Sequence, residues 1–203
     1  MTDPKLLVPF LIFALVMTGT PGPNNAMVLV CAAKAGVMRT IPLVVGIALG
    51  VSLQFVLLGL GVGALLDAVP GFHAALGVAG AAYILWLAWK VATSGPLDIS
   101  QDGEPSMGLM AGAAFQWINP KAWALSLSAS SIYIPVEHHV LNLWLAGVVL
   151  AVIAVLCVGI WAVGGVVLKQ VLARPACSLV FNLAMSTILV VTTVPAIIRV
   201  AYS

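Results

Sequence analysis

Lys121 is the residue whose type and position most demand a chemical explanation. It follows Asn119 and Pro120 inside an apolar run. If that run begins near Met107, the lysine lies about 21 Å along a helix rising 1.5 Å per residue. At that depth a charge costs at least ~2.5–3.5 kcal/mol, so a partner or a water-filled cavity is expected. All six acidic residues (Asp3, Asp67, Asp98, Asp102, Glu104 and Glu137) fall in termini or connections. The partner is then a group of backbone carbonyls at a break in a helix, or the carboxylate of a substrate. The simpler structural alternative is a re-entrant or interfacial helix over 107–118, which would let Lys121 snorkel to the surface.

A second constellation lies near the start of the chain, where Thr20, Pro21, Gly22, Pro23, Asn24 and Asn25 interrupt another apolar run. Proline removes a backbone donor and pushes the preceding residue out of the helical region. A helix that restarts after Pro23 or Pro120 presents free N–H groups and a partial charge of about +0.5. Two such ends facing each other make a site for an anion. Asn24, Asn25 and Asn119 add donors and acceptors, which suits a zwitterion; their structural alternative is to satisfy carbonyls freed by the prolines. The candidate substrate-binding set is therefore Thr20, Pro21, Gly22, Pro23, Asn24, Asn25, Asn119, Pro120 and Lys121. Gln54, Gln116 and Trp117 are candidates for lining a path, or for hydrogen bonds and packing between helices.

Other chemistries find little support. Cys31, Cys157 and Cys177 are far apart in sequence and form no CxxC pair, so neither a thiol relay nor a zinc knuckle is indicated. Glu137, His138 and His139 lie in a short connection with no further ligand nearby, which reads as a solvated loop rather than a metal site. No catalytic residue, metal site or cofactor is expected. The basic residues are scattered and the net charge is only +2, which gives no reason to expect nucleic acid as a partner.

The elements that must position these residues are membrane helices. Of 203 residues 63% are hydrophobic and 7% charged, with a mean hydropathy of +1.18. A soluble domain carries about 25% charge, so the lipid bilayer is this chain's solvent. Polar punctuation predicts an all-α membrane protein with six transmembrane helices, over 5–33, 40–66, 73–91, 107–135, 142–168 and 176–199. The single membrane domain, 1–203, divides into a three-span repeat at 1–91, a cytoplasmic linker at 92–106 and a second three-span repeat at 107–203. An odd number of spans per half makes the repeats inverted, and the first helix of each half is broken. Such paired breaks point to a midplane substrate site in secondary transporters. Lys34, Arg39, Lys90, Lys169 and Arg174 cluster in the connections assigned to the cytoplasm, which places both termini outside. Tyr83, Trp86 and Trp89 before Lys90 match an interfacial aromatic belt. Lys5 followed by Leu6–Met17 also has the form of a secretory leader. The apolar continuation Ala26–Ala33 favours a broken helix instead. Gly46 with Gly50, and Gly108 with Gly112, have the spacing of close helix contacts.

In order and spacing, four segments resemble the LysE/RhtB family of bacterial amino-acid exporters: Thr20–Asn24, Gly46–Gly50, Gly80–Lys90 and Asn119–Lys121. The run Gly80–Lys90 looks most like the branch that exports cysteine and O-acetylserine. The resemblance covers nearly the whole chain and implies a multi-pass inner-membrane protein that expels surplus amino acids using the proton gradient. Its motif residues map onto Pro21, Gly22, Pro23, Asn24, Asn119, Pro120 and Lys121. Many relatives carry an acidic residue just after the glycine pair of the second span, where this chain has Val51. That departure disfavours a cationic substrate side chain and leaves the proton carrier unassigned.

The function expected is therefore export of a small neutral amino acid or derivative, of the cysteine/O-acetylserine or threonine/homoserine type, by alternating access. The partners expected are that amino acid and the lipid bilayer, with room for a homodimer. A metal-ion or other small-ion transporter is the alternative within transport. An intramembrane enzyme or redox carrier would need a cysteine pair, a Ser/His or paired-Asp constellation, or a histidine cluster within the spans.

Overall fold

A computed structural model describes residues 4–62, 72–95 and 107–201. These residues form helices with no strand among them. In chain order they are α1 (Pro4–Gly19), α2 (Pro23–Ala35), α3 (Val37–Leu57), α4 (Phe72–Ala92), α5 (Leu109–Phe115), α6 (Pro120–Tyr133), α7 (His139–Leu172) and α8 (Pro175–Ala201). A π-helical turn, Leu58–Val62, continues α3 and contains Gly61 at φ +94°, a backbone conformation that glycine adopts without a Cβ penalty.

Two stretches are individually long and apolar enough to cross a membrane, Val37–Gly61 and His139–Leu172. A third candidate is α1 with α2, bent by 53° at the break. The expected first span is thus one apolar run folded as two helices. Phe10 and Ala14 of its first piece are fully packed in the core. The fourth expected span also divides, into α5 and α6 on either side of 116–119. The fifth is longer than expected, reaching beyond 142 and 168 at its two ends, because nothing between His139 and Leu172 interrupts helical hydrogen bonding. The last residues of the second expected span, 63–66, and most of the linker expected at 92–106 lie outside the described residues.

The principal pairings have a pattern. The first broken pair, α1 and α2, packs on α7; the second, α5 and α6, packs on α3. The two long helices α3 and α7 pack on each other, as do α4 and α8. Exchanging the halves of the chain maps this set of pairings onto itself.

Lipid is as apolar as a leucine side chain, so contact area and small residues draw these helices together. A Cβ on Gly46 would overlap the backbone of Leu109, and one on Gly50 would stand 2.7 Å from the Ala113 backbone. Gly112 of α5 answers from the other side, where an added Cβ would come within 2.7 Å of the Leu43 carbonyl. Gly108, its partner in spacing, meets nothing within 4 Å. One half of that small-residue pair is therefore a helix contact and the other is not. Gly165 brings α7 against Leu29 and Ala33 of α2 in the same way. Around these contacts one core cluster joins Phe10, Phe55, Leu143 and Leu150, and another joins Val28, Leu43, Ile47 and Phe115. Large apolar side chains such as Ile160, Val167 and Val148 remain on the outer face of α7, the arrangement expected of a helix against lipid.

The connection before α7 contains His138 at φ 51° and the chain's one acidic residue among those described, Glu137. His139 touches two carbonyl oxygens, Pro135 at 3.3 Å and Gly59 at 2.9 Å, tying this connection to the turn after α3. At the other end of the described α4, Asn182 donates to the Ser94 carbonyl at 2.8 Å and Ser178 to that of Gly95 at 3.3 Å. The aromatic group before Lys90 is assembled as a stack: Tyr83 lies 5.4 Å from Trp86, whose ring carries the Lys90 ammonium at 4.9 Å.

Candidate functional site

The two breaks meet. Residues 20–22 leave the helical path because Pro21 and Pro23 supply no N–H, so the last carbonyls of α1 have no helical donor. The carbonyls of Thr18, Gly19 and Thr20 find other partners. The side-chain amide of Asn25 donates to the Thr18 carbonyl at 2.9 Å and to the Thr20 carbonyl at 2.7 Å. The Trp161 indole donates to the Gly19 carbonyl at 3.0 Å. Asn25 thus performs the backbone repair that was its structural alternative, while its Oδ1 is buried without a hydrogen-bond partner.

The second break is built from backbone. Four successive N–H groups, from Gln116 to Asn119, donate three residues back at 3.1–3.3 Å, a tightened turn of 3₁₀ type. Asn119 then caps α6: its Oδ1 accepts from the Lys121 N–H at 3.1 Å, and Pro120 occupies the first helical position.

Side chains cross from one break to the other. Asn24 and Gln116 pair reciprocally through their amides, at 3.0 and 3.1 Å, and Asn119 donates to Asn24 Oδ1 at 3.3 Å. Lys121 Nζ reaches back to the first break. It donates to the Thr20 carbonyl at 2.9 Å, the Thr20 hydroxyl at 2.9 Å and the Pro21 carbonyl at 3.2 Å. Broken-helix carbonyls, one of the two partners expected for this lysine, thus receive its ammonium. Its stem passes over Gly22, where an added Cβ would stand 3.1 Å from both Cδ and Nζ.

Between the breaks is a cavity of about 30 Å³. That is room for about two waters, and too little for an amino acid. Gly22, Pro23, Asn24, Asn25, Asn119 and Lys121 line its polar side, and Met17, Ile47, Val51, Leu125, Ala154 and Val158 its apolar side. Lys121 is the only charged residue in this lining. Thr20 and Pro21 reach the site through the lysine, and Pro120 through the helix start it fixes.

Gln54, Gln116 and Trp117 do not line the cavity. They form its support. Gln54 and Gln116 are fully buried. The Gln54 amide donates to the Gln116 carbonyl at 3.1 Å, Ser126 donates to Gln54 Oε1 at 3.4 Å, and Gln116 also donates to the Gly112 carbonyl at 2.9 Å. Trp117 accepts at its carbonyl from the Trp123 indole at 2.9 Å. The sequence reading missed Ser126 and Trp161, which carry no motif; a polar residue in an apolar run was the only signal available.

Helices long and apolar enough to cross a membrane, with a lysine-lined cavity between two breaks, have the features expected of a membrane transport protein. The chain belongs to the LysE type translocator family, whose model matches residues 15–199. It is a transporter rather than an enzyme, integral to the bacterial inner membrane. Similar proteins include the cysteine/O-acetylserine efflux proteins of Klebsiella pneumoniae, 32% identical, Salmonella typhimurium, 35%, and Escherichia coli K12, 34%. Each of these matches spans 165 residues, 80% of this chain and 83% of the relative. No solved structure matches the chain at a significant level.

Proposed function

We propose that the protein exports a small neutral amino acid or derivative, of the cysteine/O-acetylserine or threonine/homoserine type, by alternating access driven by the proton gradient. The observation that carries this reading is the cavity between the two breaks, with a single cation on its polar side and short apolar side chains opposite. The substrate carboxylate docks between the starts of α2 and α6, where the positive ends of the two helix dipoles and Lys121 supply positive potential. Asn25 Oδ1, buried and unpaired, offers an acceptor to the substrate's polar groups. Val51 and its apolar neighbours face the side chain, which favours a neutral one; a cationic side chain would need an acceptor there. The names of the relatives make cysteine and O-acetylserine the first substrates to examine.

The cavity is too small for such a molecule, so the described form is a closed one and transport requires the site to open to each side in turn. The exchangeable pairings of the two halves favour six spans in two inverted repeats, with rocking of one half against the other. The distribution of lysine and arginine favours both termini outside.

The reading is tested by profiling the medium of cells expressing the protein beside cells expressing Lys121→Ala. Extracellular accumulation of a small neutral amino acid that depends on Lys121, and that falls when a protonophore is added, is the expected result. Absence of any Lys121-dependent amino acid outside the cell overturns it.

A further inference from the structure

The Lys121 ammonium is held in an unusual way. A primary ammonium has three donors and no acceptor. Here three oxygens receive it: the Thr20 carbonyl, the Thr20 hydroxyl and the Pro21 carbonyl. The hydroxyl's own proton goes to the Val16 carbonyl at 2.7 Å, which leaves its lone pairs to accept from the lysine. None of the three is charged. They lie just beyond the C-terminal end of α1, where carbonyls without a helical donor and the negative end of the helix dipole favour a cation. Nothing in this seat is specific to a lysine side chain, because an amino acid's α-ammonium presents the same three donors.

The lysine also occupies the position from which it could leave. Its side chain lines the cavity, its stem crosses Gly22 with no Cβ in the way, and four rotatable carbons give it reach. Thr20, which supplies two of the three oxygens of the seat, is exposed. The seat is therefore open to an approaching ammonium, and a lysine freed from it can turn toward the cavity.

We propose that the Lys121 ammonium is a tethered stand-in for the α-ammonium of the transported molecule. Without substrate it fills the three-oxygen seat of Thr20 and Pro21. On binding, the substrate ammonium takes the seat and Lys121 turns to the substrate carboxylate. The inference rests on the export reading above and deepens it. One ammonium replaces another in the seat, and the displaced one gains a carboxylate partner, so no buried charge is left alone. A molecule with only one of the two poles completes only half of the exchange. An amine without a carboxylate would expel Lys121 into an apolar cavity with no counter-charge. A carboxylate without an amine would draw Lys121 away and leave the three oxygens empty. A single charged side chain thereby reads both poles of a zwitterion, without an acidic residue.

The test measures binding of three probes to the purified full chain in detergent by calorimetry: L-cysteine, cysteamine, which lacks the carboxylate, and 3-mercaptopropanoate, which lacks the amine. The wild type is expected to bind L-cysteine at least tenfold more tightly than cysteamine. Lys121→Met vacates the seat. L-Cysteine is expected to weaken at least tenfold, while cysteamine tightens at least threefold, a change in opposite directions that a merely structural lysine would not produce. Cysteamine unchanged or weakened in Lys121→Met, with L-cysteine binding intact in the wild type, overturns the inference and leaves the export reading standing. A gain for cysteamine without L-cysteine binding to the wild type supports the seat and counts against cysteine as cargo. Should Lys121→Met fail to fold, Thr20→Val reads the exchange from the other pole. Removing one oxygen loosens the lysine's hold, so 3-mercaptopropanoate should tighten at least threefold; no gain overturns the proposal.

Discussion

At residues 20–22 the chain holds its broken backbone together with side chains; at 116–119 it does so with the backbone itself. The difference follows from proline number. Pro21 and Pro23 remove two donors within three residues, so the carbonyls of 18–21 are met by Asn25, Trp161 and Lys121. Pro120 removes only one donor, and four N–H groups remain to close a tight turn. The first break is therefore rich in acceptors, while the second delivers the cation and the capping amide. The two breaks are chemically complementary, and Lys121 joins them. That complementarity places a cavity between them instead of two independent kinks.

The largest expected effect comes from removing the link. Lys121→Met should lower export by about 10- to 100-fold, the equivalent of losing a charge-assisted hydrogen bond of ~1.5–3 kcal/mol in the transport cycle. Uptake into inverted vesicles measures it, and retention of more than half the rate would show the breaks to be independent.

Asn25→Leu attacks the side-chain repair directly. Two carbonyls at 18 and 20 lose their amide donor, and a loss of about 1–3 kcal/mol in stability is expected from two hydrogen bonds at ~0.5–1.5 kcal/mol each. A melting temperature by tryptophan fluorescence in detergent would register the change. A variant as stable as the wild type would mean that water substitutes for the amide.

The packing that supports the second break is sharpened by a matched pair. Gly46→Ala forces a Cβ into the Leu109 backbone, and overpacking of this kind costs about 1–3 kcal/mol. Gly108→Ala meets open space and should be close to neutral. Equal melting temperatures for the two variants would contradict the close approach of α3 and α5.

The smallest effect is expected at the cap. Asn119→Ala removes the oxygen that receives the Lys121 N–H and should cost about 1 kcal/mol. Asn119→Ser keeps an N-capping oxygen and should recover most of that stability. A serine variant no better than alanine would mean that the bond to Asn24 matters more than the cap.

Much of this organisation was legible in the residues. Helix breaks at proline are local events: a missing N–H and a steric clash act within four residues, so Pro21, Pro23 and Pro120 marked both sites. The place of Lys121 in an apolar run without nearby acids raised the question of its partner. What the residues did not reveal is which donors serve which acceptors. Asn24 and Asn25 are adjacent and identical in type, yet Asn25 repairs its own helix while Asn24 pairs with Gln116, 92 residues away. Gln54 and Gln116 were candidates for a path and are fully buried braces behind the cavity. Adjacent positions on a helix face different ways, and only the placement of α3, α5 and α6 determines what each one meets.

Composition alone determined that this chain lives in lipid, because 7% charge cannot cover a water-facing surface. The prolines determined where its helices stop. Tertiary structure alone decided that the two stops face each other, that Lys121 bridges them through Thr20 and Pro21, and that Gly22 leaves it room. Hydrogen bonds between residues about a hundred positions apart depend on helix packing, and that packing is written in small residues whose contacts no local pattern specifies.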